Sequence, residues 1–145
     1  MTTVLSEVAG ARTGVAPLLT RPLHRPQARW LAAAALVAAA AHVPVVAPHL
    51  DEAPYMGVLF IVLTVGCTVV GLAALVRDTA AVYALAALTC GLAVVGYVAT
   101  RLVAFPMLAD DVGNWFEPLG VVSVLSETAV VLVAIWALRR RTTRS

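Results

Sequence analysis

An all-α membrane protein, a bundle of four transmembrane helices with both ends on the cytoplasmic side, is what the sequence predicts. Three observations lead there. Apolar residues make up 61% of the chain and charged residues only 12%, against about half and a quarter in soluble domains. The apolar residues fall into four long runs. The charges between those runs alternate in sign, as they do when loops sit on opposite sides of a bilayer.

Residues 1–29 are polar, contain Gly and Pro, and carry Arg12, Arg21, Arg25 and Arg29. They read as a flexible basic cytoplasmic arm. The spans follow at about 30–47, 54–76, 79–105 and 118–138, and residues 139–145 form a basic tail. About 20 apolar residues, rising 1.5 Å each, cross a hydrocarbon core of about 30 Å. The second, third and fourth runs reach that length. The first, WLAAAALVAAAAHVPVV, is shorter and rich in Ala, so it is the weakest span. Its basic flank, apolar stretch and small residues Ala39-Ala40-Ala41 also fit a cleaved signal peptide; cleavage would leave three spans.

Orientation follows from arginine. The arm, the turn Arg77-Asp78 and the tail Arg139-Arg140-Arg141 alternate with the acidic connections PHLDEAP and PMLADDVGNWFEP. Cytoplasmic loops carry the basic excess, which places both termini and the 77–79 turn inside. The acidic connections then lie outside, and the protein is multi-pass in the cell membrane. Trp115 and Phe116 read as an interfacial anchor, and Gly113-Asn114 as a turn before the last span. The same loop has the look of a short cap over the bundle.

The net charge of +2 is too small to argue for nucleic acid, and the basic residues have a membrane explanation. The expected partners are the lipid bilayer and either a second copy or a larger membrane complex. No phosphate loop, dinucleotide fingerprint, nucleophile elbow or zinc-protease motif occurs, so neither an enzyme nor a cofactor is expected. Cys67 and Cys90 lie inside apolar runs, away from the oxidising aqueous setting of a disulfide framework, and read as small packing residues.

Segments 63–74 and 88–99 coincide at Leu, Thr, Gly, Val, Val, Gly and Ala. Inverted repeats mark larger transporters, but shared small-residue stripes also arise when two helices pack closely in lipid. The spacings Cys67/Gly71 and Ala87/Gly91 predict close packing of the second helix on the third.

A few polar residues fall at membrane depth. Glu127 lies roughly 16 Å from the cytoplasmic end of the fourth span at 1.5 Å per residue. A charged acid there costs about 2.5 kcal/mol or more unless it is paired, protonated or hydrated. Gly120, Ser123, Glu127 and Ala134 share one helical face. His42 comes out roughly 18 Å deep in the first span, two residues before Pro44, which frees the carbonyl of Ala40. Imidazole titrates near neutral pH, so His42, Glu127 and Ser123 form a candidate proton or cation site. The bland reading is a helix-to-helix hydrogen bond for Glu127 and a bridge over the proline for His42. His42, Glu127, Cys67 and Cys90 would make a zinc or copper set if they converged, and no spacing motif says that they do.

At the outer rim, His49, Asp51, Glu52, Asp110, Asp111 and Glu117 form a candidate acidic site for a divalent cation, although no calcium-loop pattern is present. Arg101, near the outer end of the third span, either snorkels to the interface or pairs with Asp51, Glu52, Asp110 or Asp111.

The stretches HVPVVAPHLDEAPYMGVLF and DDVGNWFEPLGVVSVLSE stand out from the Ala/Val background. With its all-Arg basic set and abundant Ala and Val, the chain resembles small four-helix integral membrane proteins of GC-rich bacteria. That resemblance implies no activity and carries over no site residue. The sequence supports two readings: a non-enzymatic accessory or interaction subunit, and a carrier or sensor that binds a proton or cation through His42 and Glu127.

Overall fold

A computed structural model describes residues 26–142. Four helices run in chain order, with a short 3-10 turn before the last. They are α1 (Gln27–Glu52), α2 (Pro54–Val76), α3 (Ala80–Leu102) and α4 (Pro118–Thr142), and the turn is Ala109–Asp111. All four are long and apolar enough to cross a membrane. In hydrocarbon every backbone N–H and C=O must be paired within the chain, and uninterrupted helices do this span by span. The protein is a four-helix transmembrane bundle. The basic arm expected over residues 1–29 lies outside the described residues except for its last turn, where Gln27 already opens α1.

The helices form a ring in which α1 touches α2 and α4, and α3 touches α4 and, more thinly, α2. This corrects the expected packing. The extensive contact is between α1 and α2, and the α2–α3 seam is the slimmest of the four. Small residues explain it. Ala32 and Ala35 lie on one face of α1, and Gly71 lies against them. A Cβ at Gly71 would stand 3.3 Å from Leu36 Cγ and 3.4 Å from the Ala32 carbonyl oxygen. Gly71 thus serves α1, where the Ala-rich sequence lets backbones approach closely, while Cys67 of the same stripe faces Cys90 of α3. The counterpart of Gly71 in the apparent repeat, Gly96, has nothing within 4 Å of an added Cβ. The two matched segments therefore do different packing jobs.

The connection between α1 and α2 is shorter than the sequence suggests. PHLDEAP is not a loop: Pro48 to Glu52 are the last turn of α1, and Ala53 alone joins the helices. Ala53 is fully buried. Its N–H donates to the His49 carbonyl, and its own carbonyl accepts from Met56 and Gly57. Gly57 is required here, because an added Cβ would sit 2.6 Å from Leu50 Cγ and 2.7 Å from the Leu50 backbone nitrogen. α1 remains helical through Pro44 and Pro48.

Residues 103–117 fold back onto the bundle as a cap. α3 ends at Leu102 rather than at Phe105, and Val103 is extended. Leu108 is buried, Tyr55 of α2 donates to the Pro106 carbonyl at 2.7 Å, and Tyr97 of α3 donates to the Trp115 carbonyl at 2.9 Å. Gly113 adopts a left-handed φ of 81°, which glycine takes at no steric cost. Pro118 opens α4 at the position where its missing N–H costs nothing. Glu117 Oε2 accepts from the Gly120 N–H at 3.0 Å, capping the helix.

Aromatic residues mark both ends of the bundle. Trp30 and Trp136 stand exposed near the Arg-rich end, with the Arg140 guanidinium 3.8 Å over the Trp136 ring. Trp115 and Phe116 stand exposed at the cap end. Exposed leucines and valines of all four helices lie between these levels, as a lipid-facing surface with interfacial belts requires.

Candidate functional site: a buried histidine–glutamate pair

Most hydroxyls within the spans are satisfied by their own helix. Thr64 donates to Phe60, Thr68 to Thr64, Ser126 to Val122 and Thr128 to Val124, each to a carbonyl four residues back. Such back-bonding needs no partner helix. His42, Ser123 and Glu127 differ, because they meet across the α1–α4 contact. His42 Nε2 lies 3.3 Å from Ser123 Oγ and 3.4 Å from Glu127 Oε1. His42 is 3% exposed and Glu127 1%, so both are sealed from water. The structure brings together the three residues that the sequence singled out.

The protonation geometry follows from one further contact. His42 Nδ1 lies 2.6 Å from the Ala38 carbonyl oxygen. A carbonyl only accepts, so Nδ1 carries a hydrogen and donates. In the neutral imidazole Nε2 is then an acceptor. It faces Glu127 Oε1, a buried oxygen that has no hydrogen-bond donor. Two acceptor atoms held 3.4 Å apart in an apolar bundle repel unless one proton lies between them. That proton can sit on Glu127, as a neutral acid donating to Nε2, or on His42, as an imidazolium facing the carboxylate. Ser123 fits either state, since its hydroxyl donates or accepts by rotation.

Local sequence places each member. Ala38, Ala39 and Ala41 are small and buried around His42, which brings α1 near α4. Glu127 follows the i, i+3, i+7 row with Val130 and Ala134, both fully buried. Phe60 of α2 completes the surroundings, with its ring centroid 5.5 Å from that of His42. Sequence reasoning overlooked Phe60, which looks like one more apolar residue in an apolar run. It also overlooked Tyr97, although its position four residues before Arg101 puts the two on one face.

The cysteines form a separate contact. Cys67 Sγ lies 4.0 Å from Cys90 Sγ across the α2–α3 seam, and both are free and fully buried. Among the described residues, no three His, Cys, Asp or Glu side chains are arranged to hold a metal ion. The possible set of His42, Glu127, Cys67 and Cys90 is thus two pairs rather than one centre.

The outer rim disperses as well. Asp111 pairs with Arg101 at 2.6 Å, and the Arg101 guanidinium also donates to the Asp111 carbonyl and lies 4.7 Å over the Tyr97 ring. Of the alternatives open to Arg101, the structure selects Asp111. Glu117 is engaged in capping α4. His49 Nδ1 donates to the Val45 carbonyl at 2.8 Å, and its ring meets the edge of Phe60 at 4.7 Å. Asp51, Glu52 and Asp110 are exposed. The chain matches no known family model, no curated protein and no solved structure.

Proposed function

We propose that this multi-pass membrane protein is a proton-responsive subunit. In this reading His42 and Glu127 hold one exchangeable proton at mid-depth, and its gain or loss changes how α1 meets α4. The observation that carries the reading is the 3.4 Å approach of two buried acceptor atoms, one of them without any donor. A simple interhelical hydrogen bond would be served by Ser or Asn. A pair of titratable groups makes the contact depend on a proton.

Both members of the pair are buried, which favours a sensor or accessory role over a carrier. One short chain gives a transported ion little room, so the partner is taken to be a second copy or another membrane protein. The Arg-rich end is assigned to the cytoplasm and the cap to the outside, on the positive-inside rule.

The test is infrared difference spectroscopy of the full chain in lipid nanodiscs during a pH step. A protonated-carboxyl carbonyl band should appear on acidification and vanish in Glu127→Gln. Absence of both this band and an imidazolium band lost in His42→Gln, at every pH at which the protein stays folded, would overturn the reading.

A further inference from the structure

His42 and His49 are two turns apart on α1, so they share a face. Both are anchored in the same way, with Nδ1 donating to the carbonyl four residues back, Ala38 for one and Val45 for the other. This shared anchor leaves Nε2 as the exchanging atom of each ring. The ring of Phe60 stands between them, tilted against His42 at 5.5 Å and edge-on to His49 at 4.7 Å. The one-residue turn at Ala53 sets that register: counting back along the antiparallel hairpin, Phe60 is level with Val46, midway between the two histidines.

The rings differ in exposure. His42 is sealed, whereas His49 is only half-buried and sits one turn from the exposed Asp51 and Glu52. The acids on the elements packed around the two imidazoles are Asp51 and Glu52 at the end of α1, Glu117 at the start of α4 and Glu127 within it. A histidine at the surface, an apolar ring and a buried histidine in one line have the arrangement of a gated path. Two imidazoles separated by an aromatic ring are too far apart for direct transfer. When the aromatic ring swings out, the space it leaves admits water, and hydrophobic constrictions gate in this way, by wetting and dewetting.

We infer that protons reach the His42–Glu127 pair from the cap end, through His49, and that Phe60 is the gate. This rests on the proposed proton site and adds its route. In the step, a proton from bulk water binds His49 Nε2 while Nδ1–H stays on the Val45 carbonyl. Rotation of Phe60 lets in water, which passes a proton to His42 Nε2 or to the Glu127 carboxylate, and His49 returns to its neutral form. No other bond changes. His49 and Phe60 act here as positioning residues for the path.

The test follows the Glu127 carboxyl band of the full chain in nanodiscs after transfer to D2O. Its downshift measures how fast the buried proton exchanges. Phe60→Ala should speed exchange by roughly tenfold or more, and Phe60→Leu, which keeps the bulk and the fold, by much less. His49→Phe should slow it. Val130→Ala loosens the opposite, Arg-rich side of Glu127 and should leave the rate unchanged. Acceleration by Val130→Ala without acceleration by Phe60→Ala would overturn the route while leaving the proton site standing. Absence in the unaltered chain of both a Glu127 carboxyl band and a His42 imidazolium band would overturn both.

Discussion

Arg101 and Asp111 meet at 2.6 Å where the cap closes on α3, with the guanidinium largely buried and the carboxylate about a quarter exposed. The same arginine accepts the Gly113 N–H through its backbone carbonyl. One residue near the end of a span thus ties the cap down by side chain and main chain together.

Arg101→Ala should loosen residues 103–117 and lower stability by about 1–3 kcal/mol, the range for a charge-assisted bond whose partner is left behind. Asp111→Ala should do nearly as much, and the double variant less than the sum. Thermal melting in detergent and limited proteolysis within the cap would measure this. Additive losses would show that the two side chains act independently.

Glu127→Gln should fold like the unaltered chain, and Glu127→Leu should melt lower. Gln keeps a hydrogen-bonding end of nearly the same shape that can donate to His42 Nε2. Leu leaves His42 with Ser123 alone. Intramembrane hydrogen bonds average about 0.6 kcal/mol with a maximum near 1.7, so the loss is modest. Equal stability of Leu and Glu would mean that the 3.4 Å contact contributes nothing to the fold.

Gly57→Ala should destabilise the α1–α2 hairpin by about 1–3 kcal/mol, the usual cost of overpacking. The obstruction includes the backbone nitrogen of Leu50 at 2.7 Å, which cannot rotate away as a side chain can. Gly96→Ala, with open space around the added carbon, is the matched control and should be neutral. A melting comparison of the two variants decides it.

Cys67 and Cys90 should react slowly with a water-soluble maleimide in the folded protein and promptly once it is denatured. Both are fully buried, out of reach of a reagent confined to water. Rapid labelling of the native chain would place an aqueous cavity at the α2–α3 seam.

Reporter fusions after Arg77 and at the C-terminus should read cytoplasmic, and a fusion at Asn114 should read external. The Arg distribution alone carries this expectation. A C-terminus found outside would reverse the bundle and put His49 on the cytoplasmic side.

The spans and the buried pair were legible in the sequence because the bilayer imposes simple rules. Hydrocarbon thickness fixes the length of a span, and it makes a lone Glu127 or His42 conspicuous. Helix ends were less legible. His49, Asp51 and Glu52 are polar, and the polarity that signals a loop also suits the emerging turn of a helix such as α1. Neighbour choice was not legible either. The small residues around Gly71 announce a close contact without saying with which helix, and the choice of α1 depends on the Ala-rich face opposite. Phe60 was invisible because its meaning lies in what flanks it from another helix.

Ala53 leaves no slack between α1 and α2. A longer linker would let the Ala-rich α1 partition into lipid by itself, and α1 is the least apolar of the four spans. With a single residue between them, the two helices must enter the bilayer as one hairpin, so the strongly apolar α2 carries its weaker neighbour in. The same stiffness persists in the finished protein: a tilt of α1 that displaces His42 drags α2 with it, so the hairpin behaves as one lever hinged against α3 and α4.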